Sequence, residues 1–128
     1  MSNPFTYAEL HTKDPAAAKT FYRQLFDWKM SDHENPKGTY TEIDLGEGFP
    51  AGLVATGVKL EGAAKLDAVM SHWLPYIRVA DVASATTRAK TLGASAVEEM
   101  VEIPEGKFSV LVDPTGAPFG LFQPAQKG

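Results

Sequence analysis

Residues 113–123 read "DPTGAPFGLFQ" and residues 45–55 read "LGEGFPAGLVA". Each has a glycine, a proline two residues on, then Gly-Leu: Gly48, Pro50, Gly52 and Leu53 in one, Gly116, Pro118, Gly120 and Leu121 in the other. The rhyme extends outward. Residues 36–53, "PKGTYTEIDLGEGFPAGL", align without gaps to 104–121, "PEGKFSVLVDPTGAPFGL", at an offset of 68. Further upstream, "YAELHTKD" (7–14) faces "LPYIRVAD" (74–81) at an offset of 67, with Leu10 on Ile77 and Asp14 on Asp81. Two matching halves in the same order are the mark of a duplicated unit.

Each half follows one local grammar. "FTYAELHT" and "WLPYIRVA" alternate in polarity as strands do. Asp14 precedes Pro15, a cap followed by a proline at the first helical position. "PAAAKTFYRQLF" then carries Ala17, Phe21 and Leu25, and Ala18 and Tyr22, at helical spacing. Asp81 caps "VASATTRAKTLG" in the same way, with Val82, Ala85, Ala89 and Leu92 on one face and Gly93 just past the end. Three short strands follow in each half, about 28–33, 39–45 and 50–56, then about 96–102, 107–113 and 118–123. "NPKG", "GEG", "PEG" and "DPTG" punctuate them as turns. The pattern is βαβββ twice: a first module over about 4–56, a linker over 57–71 and a second module over about 72–124, together one domain spanning 1–128.

The totals narrow the function classes. The 128 residues are 44% hydrophobic, enough for one core. The net charge is −4 and the basic residues are scattered, so neither nucleic acid nor an anionic membrane is expected as partner. There is no cysteine, which removes disulfides, thiol catalysis and iron–sulfur clusters. "MSNPFTYAEL" lacks the basic start and apolar run of a signal peptide, and no apolar run approaches the roughly 20 residues that cross a bilayer. A cytoplasmic protein is the expectation.

A repeated βαβββ module in a chain of this length resembles the vicinal oxygen chelate superfamily, which includes glyoxalase I, extradiol dioxygenases and bleomycin-resistance proteins. The motifs that carry the resemblance are "ELHTKDPAAAKTFYRQLFDW", "YIRVADVASATTRAKTLGA" and "GKFSVLVDPTGAPFGLFQP". It implies an α+β fold in which two modules curl a mixed sheet around a cup-shaped cavity, with helices outside. Small members commonly pair, so a homodimer is implied too.

Within that fold, strand alternation assigns faces. Leu10 turns its side of the first strand toward the helix, leaving Phe5, Tyr7, Glu9 and His11 for the cup. In the second module Ile77 and Val79 face the helix, and His72, Leu74, Tyr76 and Arg78 face the cup. The resemblance also locates metal ligands. Metal-dependent relatives place a His seven residues before the capping Asp and a Glu or His on the last strand of each module. Here those positions hold Tyr7, Leu74, Gly52 and Gly120. Leucine and glycine cannot ligate, so no metal site and no cofactor is expected.

The candidate ligand-binding set is therefore Tyr7, Glu9, Leu74, Tyr76, Arg78, Gly52 and Gly120. Glu9 is the candidate acid–base group, because a carboxylate in mid-strand on a cavity wall is costly unless paired or used. A structural Glu9–Arg78 ion pair is the plainer alternative. His11 and His72 would approach one another if the two first strands met antiparallel. Trp73 falls opposite the cup, as core or dimer contact, and Trp28 as core or cavity wall. The leading expectation is a metal-free small-molecule-binding protein of the glyoxalase and bleomycin-resistance type. The alternatives are a divalent-metal lyase, isomerase or dioxygenase, and a metal-independent acid–base enzyme using Glu9.

Overall fold

The computed structural model describes residues 2–35, 38–46, 51–55 and 71–125. The first half contributes β1 (Phe5–Thr12), α1 (Pro15–Leu25), β2 (Lys29–Asn35), β3 (Gly38–Asp44) and β4 (Ala51–Ala55). The second contributes β5 (His72–Arg78), α2 (Val82–Thr91), β6 (Ser95–Ile103), β7 (Gly106–Val112) and β8 (Pro118–Pro124). The expected βαβββ order holds in both, with strand ends moved by a residue or two. The linker expected over 57–71 lies, apart from Ser71, outside the described residues, as does Gly48.

These strands form one open, curved, mixed sheet in the order β2-β3-β4-β1-β5-β8-β7-β6. Within each module the first strand pairs in parallel with the last, β1 with β4 and β5 with β8. The modules join through β1 and β5, which run antiparallel within this one chain. Ala8 and Pro75, equivalent in the repeat, are register partners. An approximate twofold axis therefore passes between them and exchanges the modules.

Both helices start as their sequences foretell. The Asp14 carboxylate accepts from the Ala17 amide, and Asp81 accepts from Ala83 and Ser84. Leu92 closes α2, and Gly93 follows at φ +108°, a conformation glycine adopts without strain. The helices cover one face of the sheet. Ala18 and Tyr22 of α1 pack on Leu10 and Ile43, with Trp28, Met30 and Leu45 alongside. Val82, Ala85 and Ala89 of α2 pack on Leu111 and Leu121. Of the two helical stripes read in α1, only the one through Ala18 and Tyr22 meets the sheet. Phe21 and Leu25 are exposed, as is Leu92 in α2. A helix of three turns meets a sheet along one narrow line, and residues a quarter-turn off it stay outside.

The "DPTG" turn is held by its aspartate. Asp113 accepts from the Thr115 hydroxyl and from the amides of Thr115 and Ala117, and Gly116 sits at φ +98°. The Thr115 hydroxyl and these amides hold the Asp113 carboxyl below its usual 3.8, and the Ser84 amide and hydroxyl do the same for Asp81. A depressed folded value means the carboxylate contributes stability above the unfolded-chain value, which is lost as pH falls through the folded one. Urea midpoints should therefore drop below about pH 4. The drop should be shallower in Asp113→Asn and Asp81→Asn, measured by circular dichroism.

Candidate functional site

The face of the sheet turned away from the helices carries the cup. Alternation places Tyr7 and Glu9 of β1 there, and Leu74 and Tyr76 of β5. In the antiparallel register Tyr7 lies opposite Tyr76, Glu9 opposite Leu74 and His11 opposite His72. The twofold that relates the modules puts Glu9 where the second module has Tyr76, so the two side chains meet near the centre.

Three polar groups converge on the Glu9 carboxylate. His11 Nε2 lies 2.8 Å from Oε1, the Tyr76 hydroxyl donates to Oε1 at 3.2 Å, and the Tyr7 hydroxyl donates a long bond to Oε2 at 3.5 Å. The Glu9 side chain is only 12% exposed, and these donors offset the cost of burying it. His11 stacks on His72 with ring centroids 5.2 Å apart and planes within 5°. The approach of the two histidines follows from antiparallel first strands, as expected.

The second module supplies an apolar wall. Leu74, Tyr76 and Val110 are buried together, with Tyr7, Val97, Phe108 and Phe122 against them. Tyr76 meets Tyr7 edge to face at 5.3 Å and Phe108 at 5.8 Å. Burial, and then the neighbouring Glu9 charge, push the Tyr76 phenol well above its ordinary 10. A raised value means stability that is whole below pH 10 and lost as pH climbs through the folded value. Tyr76→Phe should accordingly flatten the alkaline unfolding limb, read by far-ultraviolet dichroism above pH 10.

Arg78 is not the partner of Glu9. It is exposed at the end of β5, in register with Phe122, and among the described residues the two form no ion pair. Four residues of strand separate Arg78 from Leu74, the residue opposite Glu9, or roughly 13 Å. Trp73 does lie opposite the cup: its indole Nε1 donates to the Tyr22 hydroxyl at 3.2 Å, among the aromatic rings of α1 and Trp28. Trp28 belongs to that helix-side cluster and not to a cavity wall.

Alternation on β3 adds residues that the reading of first and last strands missed. Thr41 and Ile43 are buried on the helix side, so Tyr40 and Glu42 face the cup. Burial, and after it the charges of Glu42 and Glu105, raise the Tyr40 phenol above its ordinary range. The same period-2 rule, applied to "TYTEI", contains this placement. Two shallow hollows of about 440 and 430 Å³ lie elsewhere, along α2 and at the β6–β7 end, and gather none of these groups.

Gly52 and Gly120 hold equivalent places, Gly52 in register with Glu9 and Gly120 with Tyr76. A Cβ on Gly120 would come within 2.2 Å of the Tyr76 ring. The glycine is thus the floor on which that ring lies. A ligating Glu or His at position 120 cannot coexist with Tyr76 as it stands. Among the described residues no three His, Asp or Glu side chains converge as a metal site would require. The donor set does not fit a divalent ion held in the manner of the metal-dependent relatives. Gly120→Ala should cost about 1–3 kcal/mol in urea unfolding. Combined with Tyr76→Ala, it should cost less than the sum of the two single losses, because the second change removes the clash.

A family model described as a glyoxalase-like domain matches residues 7–122. The chain belongs to that family. Its fold is that of the vicinal oxygen chelate superfamily. A Mycobacterium tuberculosis protein, CFP32, which carries a provisional glyoxylase name, is 32% identical over 121 residues, covering 91% of this chain and 44% of its own. The anthracycline biosynthesis protein DauV of a Streptomyces species is 29% identical over 117 residues, covering 91% of this chain and 40% of its own. The glyoxalase-like chain thus spans less than half the length of these curated relatives. Among solved structures, methylmalonyl-CoA epimerase from Mycobacterium tuberculosis superposes with a TM-score of 0.66 at 16% identity, over 95% of this chain and 88% of its own. The hypothetical protein BH1468 from Bacillus halodurans reaches 0.71 at 12% identity, over 100% and 99%. At such identities the superpositions establish the fold alone.

Proposed function

We propose that this glyoxalase-like chain binds a small organic molecule in the cup without a metal ion, with Glu9 as the polar anchor and Tyr7 on the contact surface, backed by the buried Leu74 and Tyr76. The observation that carries the reading is the Glu9 carboxylate, 12% exposed and surrounded by three donors beside an apolar wall. A few convergent polar groups in a largely apolar concavity are the usual make-up of a small-molecule site. Gly52 and Gly120 serve by keeping the floor low, and Arg78 stands at the rim. A homodimer and a cytoplasmic setting belong to the same proposal. Among the described residues no helix is long and apolar enough to cross a membrane.

A second reading has its own support. His11 Nε2 lies 2.8 Å from Glu9 Oε1, a spacing at which a carboxylate and an imidazole pass a proton. In that reading the pair removes and returns a proton on carbon next to a carbonyl of the bound molecule. The glyoxylase name carried by the relative CFP32 lends it weight.

One experiment addresses both. Thermal shift with coenzyme A thioesters, 2-oxoaldehyde adducts and polycyclic aromatics should find a stabilising ligand, worth about 2.7 kcal/mol at one hundred times Kd. Glu9→Gln should weaken that ligand about tenfold or more. If the second reading holds, the ligand also takes up deuterium from heavy water, and Glu9→Gln stops the uptake. No stabilisation across all three classes would reject the binding reading.

A further inference from the structure

The duplication makes each module a control for the other, and the two helices differ on the side turned from the sheet. Along α1 run Ala17, Phe21 and Leu25, spaced by four and therefore on one line of the helix, and all three are exposed. Phe21 and Leu25 are each 56% exposed, Phe26 43% and Trp73 38%. Ring contacts make one patch of the aromatic side chains. Phe21 meets Tyr22 at 5.0 Å, Tyr22 meets Trp73 at 5.6 Å and Phe26 at 6.4 Å, and Phe26 meets Trp28 at 4.8 Å. At the offset of 67, Ser84 stands for Ala17, Arg88 for Phe21, Gly93 for Phe26 and Ser95 for Trp28, and Trp73 corresponds to Thr6 of the first module. Only Leu92 repeats its counterpart, Leu25. Both helices cover their half-sheets, so covering the sheet does not call for the rings on α1. Large apolar side chains gathered in water mark a contact surface.

The patch suits a second copy of itself. Within α1 the charged residues are Lys19 and Arg23, about half a turn round the helix from Phe21, and Lys19 is held by Asp32. Thr20 and Gln24, which flank the stripe, are uncharged. A face without charge meets its own image without repulsion. The same face of α2, formed by Ser84, Thr87, Arg88 and Thr91, is polar and would set Arg88 against itself. The stripe is also small at one end and large at the other. When two such helices cross antiparallel about a twofold axis at Phe21, Leu25 of each copy lies over Ala17 of the other, and ridges spaced by four interdigitate. The area is sufficient as well. Large side chains bury roughly 150–250 Å² each, so the exposed fractions leave roughly 400 Å² of apolar surface in water on one copy. Pairing removes about twice that, half of a standard interface of about 1,600 Å².

We propose that two copies of this chain pair through α1, with the helices antiparallel about a twofold axis at Phe21. Leu25, Phe26 and Trp73 of each copy complete the apolar centre, and Thr20 and Gln24 lie on the polar rim. The contact is on the sheet face opposite the cup and leaves both cups open. This rests on the homodimer set out with the binding reading and names the surface that forms it.

The test is sedimentation velocity on the intact chain from about 1 to about 100 µM, with acrylamide quenching of tryptophan fluorescence over the same range. The chain should be dimeric at the upper end, and quenching should fall as it pairs, because Trp73 leaves the water. Phe21→Arg gives α1 what α2 already carries at Arg88, so circular dichroism should show the fold intact while the dimer Kd rises roughly thirtyfold or more. Phe21→Glu should do the same. Mixed in equal amounts the two variants should regain the dimer, since each charge then meets its opposite across the axis. A dimer that withstands both variants overturns the α1 surface and leaves a homodimer formed elsewhere. Dimers lost in both variants and not regained on mixing overturn the antiparallel crossing. A monomer at every concentration overturns the surface and the homodimer together; unchanging, weak quenching would then mean that the patch is covered from within the chain. Ligand stabilisation in the cup is read separately, and none of these outcomes alters it.

Discussion

The antiparallel pairing of β1 with β5 is the contact on which the rest of the molecule depends. Each module alone is a curved half-sheet whose first strand is covered on one edge only, by the parallel β4 or β8. Joining the two first strands satisfies both open edges at once and continues the sheet across the repeat. It also decides what meets at the centre. With Ala8 opposite Pro75 on the axis, the neighbouring cup positions become Tyr7 with Tyr76 and Glu9 with Leu74. A slip of one residue would turn Glu9 and Tyr76 toward the helices and Leu10 and Trp73 toward the cup. The buried contacts of Leu10 with α1 and of Leu74 with the second-module wall guard against it.

Because a twofold exchanges the modules, a pair such as Glu9 and Tyr76, 67 residues apart, becomes a direct contact. The glycines belong to the same logic. Tyr76 can lie flat on its neighbouring strand only because position 120 has no Cβ. The ring then brings its hydroxyl to Glu9, and burial beside that carboxylate keeps the phenol protonated as a donor. Glycine in mid-strand is normally a weakness, since it offers nothing to pack. Here the packing is supplied from the adjacent strand.

Much of this was legible in the order of residues. The repeat gives the module, the Asp-capped helices give its second element, and alternation gives the faces of β1 and β5. Those signals are local, and local chemistry decides them. The errors arose where contacts cross the sheet. Arg78 shares a cup-facing parity with Glu9, which invited an ion pair, but parity says nothing of position along the strand. Register put Leu74 and not Arg78 opposite Glu9. In α1, Phe21 and Leu25 fit a helical stripe as well as Ala18 and Tyr22 do. Only the line of contact with the sheet selects between them. The role of Gly120 was invisible for the same reason: nothing near it in sequence announces the ring of Tyr76.

The division between kept and changed positions bears on how such a fold acquires function. After duplication both copies must still bury the same helix on the same sheet face. That demand holds Leu10 and Ile77, Ile43 and Leu111, and Thr41 and Ser109 to one kind. Thr41 and Ser109 are buried hydroxyls, and each finds its own partner, Asp32 in one module and Thr86 in the other. The cup face carries no such demand, because among the described residues neither helix packs against it. Side chains there are free to differ, and a twofold cavity becomes a polar one. A symmetric cup would recognise symmetric molecules or a metal ion on the axis. One with Glu9 facing Tyr76 across that axis distinguishes the two ends of whatever enters it. Under the proposed binding function, specificity lies in the difference between the halves, and the repeat is what makes that difference readable.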